Sequence, residues 1–497
     1  MDRASGAKQE SNSRLQCSTE WEAGADGVIS RCLRGTELMV RSTEITRDGN
    51  FQLNHLAEFE TLLSSYQLKQ RCHAAWWMVR QKFPVVGVSL SAEKAHFEPI
   101  TSIAAAERWA SRTCTIAEQT TVEELHLCHL RQVSDITKLV LTVDPVRGPR
   151  GVVLNISHSL ISHGSYFILE AFVSYLAHKE CQFGIERIFA PEDVTTRVPK
   201  LPQSLSNAYI QKFGAPTTAQ MDTVAMAMEK AAQRWSRTSI GIPTHRNHEG
   251  RKSVMHNKEV KFEDAEFREA LQLAKREKLT LTALFFAAIT AGIHQRYSNG
   301  TEDGAHLLFS GNARRWMDVD GRDGQQPVAL SILPGALWLD KASLAPDADD
   351  KVHLLRLARD IYAVQDIDLT SEHVIGFYDQ SAPAVAKATR NAASESLHVP
   401  PYCRPTMTSQ GAFKTEKASG NRDHSLVRFL NFKTGGRNTE PSVCFALYSC
   451  NGELRCNLIF DEKYFDQDEL MQLMYMITAH FRRMIGQSGS LVGSTKL

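Results

Sequence analysis

Leu154-Asn155-Ile156-Ser157-His158-Ser159-Leu160-Ile161-Ser162-His163-Gly164-Ser165-Tyr166 is the stretch on which the fold turns. It leaves an apolar, β-branched run that reads as a strand from Gly151 to Ser157. It then enters a segment where Tyr166, Leu169, Phe172, Val173 and Leu176 fall three and four residues apart, the spacing of a helix that buries one face. A strand followed directly by an amphipathic helix is the grammar of an α/β fold, in which catalytic side chains sit at strand ends. His158 occupies such an end, just past the last apolar residues. A neutral imidazole there can take a proton from a bound hydroxyl, because its ordinary pKa lies close to neutrality.

Upstream, Lys138 to Val143 reads as a second strand, separated from the first by the turn-forming Asp144, Pro145, Arg147, Gly148 and Pro149. Before it, Leu56, Phe59, Leu62, Leu63, Tyr66, Cys72, Ala75, Trp76 and Val79 recur at helical spacing from Leu53 to Phe83. Pro84 stops that pattern, and Val85 to Leu90 reads as a short strand. Downstream, prolines from Pro191 to Pro216 break any regular pattern and mark a crossover, with a helix expected from Gln220 to Trp235. A strand at Glu259 to Phe262, a helix from Asp264 and a buried helix opened by Thr280 follow. Val443 to Cys450 and Glu453 to Phe460 flank Asn451-Gly452, a pair suited to a type I′ hairpin because both positions need positive φ. Three cysteines fall on this hairpin, Cys444, Cys450 and Cys456, and read as small strand residues. The last helix, from about Asp466 to Ile485, has acids in its first turn, Arg482 and Arg483 in its last, and Gly486 at its end.

The chain has 497 residues, a length that favours two linked halves over one core. Residues 1–20 read as a disordered N-terminus, 21–190 as an N-terminal half carrying the histidine segment, 191–240 as the crossover and 241–497 as a C-terminal half. The balance of 57 basic against 56 acidic residues argues against binding nucleic acid by phosphate neutralisation. No run is long and apolar enough for a membrane span or a secretory leader. Ten scattered cysteines with no CxxC pair point to reduced thiols, no metal site and an intracellular, cytoplasmic protein. Phosphate loops, dinucleotide-binding turns, zinc helices and nucleophile elbows are absent from the sequence.

The segment around His158 resembles the HHxxxDG motif of the condensation-domain and chloramphenicol-acetyltransferase-like superfamily. In ungapped register His158 matches the second histidine, Ser157 the first, Ser162 the aspartate and His163 the glycine. A shifted register makes His163-Gly164 the end of an HxxxxHG variant. Ala74-Ala75-Trp76-Trp77-Met78-Val79-Arg80 with Phe83-Pro84 looks like the first-helix pattern of fungal secondary-metabolite O-acetyltransferases such as trichothecene 15-O-acetyltransferase. Trp109 to Thr113 looks like the start of the strand that follows it. Leu279 to Ala288, Asn312-Ala313-Arg314 and Thr408-Ser409-Gln410-Gly411 look like later family segments in the same order.

The resemblance implies two α/β sandwich halves around a central tunnel, within a monomer. The tunnel would be reached by acetyl-CoA as co-substrate and by a small-molecule acceptor. His158 would be the general base, with Ser409, Gln410 or nearby backbone amides as candidate oxyanion donors. It also implies an ion pair between the motif acid and Arg314, which Ser162 cannot make. That departure leaves open a second reading, a tunnel enzyme that cyclises, isomerises or dehydrates one substrate without acyl-CoA, and a third, a binding scaffold.

Overall fold

The structure is a computed structural model. It describes residues 18–486 apart from 131, 163, 194, 196–200, 246–247, 314–329, 331, 369–371, 393–398 and 414–425. Among the described residues, two main sheets organise the chain. The first has five strands in the spatial order Val427–Lys433, Leu53–Thr61, Arg150–Ile156, Lys138–Asp144 and Cys114–Glu118. The second has seven, running Met255–Phe262, Glu453–Asp461, Val443–Cys450, Pro405–Phe413, Gly304–Asn312 and Ile332–Asp340, with Ser239–Ile240 beside Gly304–Asn312. Each sheet has its own core beneath its main helices. Ser65–Lys82 and Ser165–Leu176 cover the first, and Leu281–Tyr297, Asp350–Asp368 and Gln467–Ile485 cover the second. The short helix Val122–His129 packs on the other face of the first sheet. The two-lobed α/β architecture implied by the motif resemblance is therefore present.

The chain passes from the first sheet to the second after Ser165–Leu176, back to the first at Val427–Lys433, and to the second again at Val443–Cys450. Val427–Lys433 returns to the first sheet, pairing antiparallel with Leu53–Thr61 through Phe429↔Phe59 and Lys433↔Leu56. Phe413, Phe432 and Tyr448, all late in the chain, sit in the first core. A buried polar chain reinforces this join: Asn431 donates to Glu58 at 2.7 Å on one side and accepts from Arg455, on the second sheet, on the other.

Local expectations hold where capping and turn chemistry act alone. Asn451 and Gly452 take φ of 52° and 89° and close the hairpin. Thr280 Oγ1 accepts the Ala283 N–H at 3.1 Å, and Gly486 ends the last helix in the left-handed region. Gly452→Ala is expected to cost about 1 kcal/mol of unfolding free energy by forcing a Cβ into that region, measurable by denaturant titration.

Three expectations of secondary structure fail. The helical spacing from Leu53 to Phe83 covers two elements, a strand Leu53–Thr61 and a helix Ser65–Lys82. Leu53, Ala57 and Phe59 face the first core while Leu56 faces a satellite cluster with Val122 and Val153, so a strand buried on both faces imitates helical spacing. Ser64, whose side chain accepts from Gln67, marks the true helix start. Val85 belongs to a 3₁₀ turn, Pro84–Gly87, and the strand is only Val88–Leu90. Trp109 to Thr113 form the last turn of a helix, Ile103–Thr113, with the strand beginning at Cys114. Cys32, moreover, is disulfide-bonded, against the expectation of uniformly reduced thiols. No helix among the described residues is long and apolar enough to cross a membrane.

Candidate active site

A cavity of about 150 Å³ lies between the two sheets. Strand alternation decides which side chains reach it. On Pro405–Phe413, Thr406 and Thr408 line the cavity while the intervening Met407 is buried in the second core. On Leu53–Thr61, Leu53 and His55 line it from the other side. A bulge between Ser409 and Gly411, where Gly411 takes φ of 82°, inserts Gln410 as an extra residue. Gln410 turns into the cavity, and its buried Oε1 has no hydrogen-bond partner among the described residues. Ser409 pairs opposite the core residue Leu447 and does not line the cavity.

His158 lines the cavity one turn past the strand Arg150–Ile156. Its Nδ1 lies 2.8 Å from the Ile161 carbonyl oxygen. A carbonyl only accepts, so Nδ1 carries the proton of the neutral ring and Nε2 holds the basic lone pair. Burial pushes the His158 pKa below the ordinary 6.5, against a smaller upward pull from the Ile161 carbonyl. The ring is therefore a neutral base at physiological pH.

The loop carrying His158 is held from elsewhere. Glu44, on the helix Gly35–Thr46, accepts the Ser157 hydroxyl, whose oxygen lies 2.8 and 2.7 Å from its two carboxylate oxygens, and the His158 N–H at 3.0 Å. Arg41 pairs with Glu44 at 3.2 Å and reaches Asp135 at 2.7 Å. Ser162 is mostly buried and lines the cavity. His163 and Arg314 lie outside the described residues. The structure thus brings together His158, Ser162 and Gln410 and leaves Ser409 aside.

Sequence reading missed several cavity residues. His55 Nδ1 and Ser165 Oγ are 2.5 Å apart, and both line the cavity, as do Ser310, Thr406 and Thr408. The alternation of Leu53, His55 and Ala57 could have revealed His55 had the segment been read as a strand. Gly435 is also needed: a Cβ there would meet the Asn54 oxygen at 2.5 Å and His126 Nε2 at 2.6 Å. Cys72, His73 and Cys114 have converging ligand atoms within 4.8 Å of one another, but none of the three lines the cavity.

No family model matches the chain. It is 28% identical to the acyl-CoA-dependent acyltransferase MAC2 of Pseudozyma antarctica (strain T-34), over 96% of this chain and 97% of that protein. To the acyl-CoA-dependent acyltransferase MAC1 of the same organism it is 24% identical, over 65% of this chain and 64% of that protein. Its fold matches that of TRI3 trichothecene 15-O-acetyltransferase from Fusarium sporotrichioides with a TM-score of 0.76 at 14% identity, covering 94% of this chain and 98% of that one. It also matches the epimerization domain of the third module of tyrocidine synthetase B, with a TM-score of 0.58 at 12% identity, covering 94% and 98%.

Proposed function

The chain has the two-lobed fold of the condensation-domain and chloramphenicol-acetyltransferase-like enzymes, and from that premise we propose that it is an acyl-CoA-dependent acyltransferase with His158 as general base. The finer reading is transfer of acetyl from acetyl-CoA to a hydroxyl of a small secondary metabolite, with the monomer as the working unit because one chain supplies both sides of the cavity. The observation that carries the proposal is the His158 ring on the wall of a cavity between the sheets, with its Nδ1 2.8 Å from the Ile161 carbonyl oxygen.

His158 Nε2 removes the acceptor's hydroxyl proton as that oxygen attacks the thioester carbonyl carbon. The tetrahedral oxyanion then collapses, the C–S bond breaks, and the departing thiolate takes the proton back from the imidazolium. An ester and free CoA result, with atoms and charge balanced. The cavity holds both substrates together, making the attack effectively intramolecular. The Gln410 amide and the Thr406 and Thr408 hydroxyls are the side chains best placed to donate to the oxyanion.

Untargeted mass analysis of fungal metabolite extracts incubated with acetyl-CoA, with and without the protein, tests this reading. A metabolite gaining one acetyl group, matched by thiol release, supports it. Consumption of a metabolite without thiol release or acetyl gain overturns it in favour of single-substrate chemistry. With an acceptor in hand, protonation of the His158 ring itself is expected to add a step to the acid limb of kcat/KM with a midpoint below 6.5, the direction in which burial moves it. The unfolded chain protonates this histidine first, so its contribution to stability is present above 6.5 and is lost as pH falls through the depressed folded value. Ser162→Asp is expected to lower transfer by about tenfold or more, because it buries a carboxylate in a loop already held by Glu44; a higher rate would contradict this.

A further inference from the structure

We infer that Glu44 is the positioning residue of the His158 loop, anchoring it from the helix Gly35–Thr46 where Ser162 leaves the loop itself without an acid. The inference rests on the reading of His158 as the base.

Three hydrogen-bonding groups converge on one carboxylate: the Ser157 hydroxyl, the His158 backbone N–H and the Arg41 guanidinium. The first two belong to consecutive residues at the strand end, so the carboxylate fixes the direction in which the chain turns. The Ser157 hydroxyl oxygen in turn accepts the Ser159 N–H at 3.1 Å, extending the anchor one residue past the histidine. From the far side of the turn, the Ile161 carbonyl holds the ring. Backbone and ring of His158 are thereby restrained separately, and Nε2 is the nitrogen left for the cavity.

Glu44 is 1% exposed and Arg41 3%. Arg41 is itself anchored: its Nε donates to the Ser91 carbonyl at 3.0 Å and its Nη2 pairs with Asp135 at 2.7 Å. Burial pushes Glu44 up to about 7, against downward pulls from Ser157, Arg41 and the His158 amide. Among the described residues, the charged group facing the carboxylate is Arg41 on its own helix, with Asp135 behind it, while His158 meets it through its backbone N–H. When Glu44 is neutral one of its oxygens becomes a donor, so the hydrogen bond to Ser157 can reverse and the His158 N–H loses a charged acceptor. The loop therefore senses the ionisation of Glu44 close to neutrality.

The test is amide and ring NMR on full-length protein labelled with [15N]histidine, with His158→Gln used for assignment. In the unaltered protein the His158 backbone amide is expected to shift in a step with a midpoint near 7, separate from the lower-pH step of its own ring. Glu44→Gln removes the upper step and loosens the ring from its single tautomer. Ser157→Ala, a milder change, weakens the step, and the double variant loses no more than Glu44→Gln alone. An amide step that persists unchanged in Glu44→Gln, or additive losses in the double variant, overturns the inference. A purely structural role would lower the melting temperature without moving these signals. Thiol release from acetyl-CoA with an identified acceptor is the separate readout. If it is absent while the NMR response is present, the acyltransferase reading fails and the role of Glu44 stands.

Discussion

His158→Ala is expected to abolish acyl transfer, with kcat/KM falling by about 100-fold to 10,000-fold, the range that positioned general bases supply. Residual turnover would come from bringing the substrates together and from oxyanion donors such as Gln410, which the substitution leaves in place. The fold should survive. His158 lies in a loop held through its backbone N–H, which alanine keeps, and through Ser157. Affinity for CoA, measured by calorimetry, should stay within a few-fold of the original, because no step of binding requires the imidazole lone pair. The key measurement is thiol release under saturating acyl-CoA and acceptor. A variant that retains more than about a tenth of the rate would remove His158 from the role of base.

The second large effect concerns stability. Glu192→Ala is expected to lower the unfolding free energy by about 3–5 kcal/mol, because it strands a buried guanidinium. Arg80, on the helix Ser65–Lys82, meets the Glu192 carboxylate through two hydrogen bonds of 3.0 and 2.8 Å, with side-chain exposures of 2% and 0%. The guanidinium also lies 4.7 Å from the ring centres of both Phe97 and Trp109 and donates to the Glu98 carbonyl at 2.6 Å. Glu192 in addition accepts the Ile100 N–H at 2.9 Å, tying the start of the crossover to the first lobe. Urea titration followed by tryptophan fluorescence reads the loss, since Trp76, Trp77 and Trp109 surround this corner. The paired replacement Arg80→Met with Glu192→Met should recover much of it by removing both charges together. A single-variant loss below about 1 kcal/mol would show that water or another acid satisfies Arg80.

The same arginine illustrates what a sequence can carry. Its place in the run from Ala74 to Pro84 could be matched to a family pattern, yet nothing within that run points to Glu192, 112 residues away. Glu44 is the sharper case. Nothing in the sequence singles it out, and only the fold sets it, on the helix Gly35–Thr46, against Ser157, 113 residues later. The departure at Ser162 was visible in the sequence, whereas the arrangement that holds the loop without it was not. His55 was lost for a related reason. A strand buried on both faces presents apolar residues at irregular intervals, and that pattern does not separate from a helix until the neighbouring strands are known.

By itself the sequence determined the features that depend on a few neighbouring residues. These are the Asn451-Gly452 hairpin, the Thr280 cap, the strand-to-helix step around His158 and the ordered series of short motifs that identified the fold. Each is set by dihedral preferences, capping hydrogen bonds or local periodicity, whose physical range is a handful of residues. Only the tertiary structure decided which side chains share the cavity, how Val427–Lys433 rejoins the first sheet, and which carboxylate holds the histidine loop. Those outcomes follow from strand register and from the burial of paired charges between distant segments. Their free energies depend on exclusion of water by the whole fold, and no local pattern encodes that.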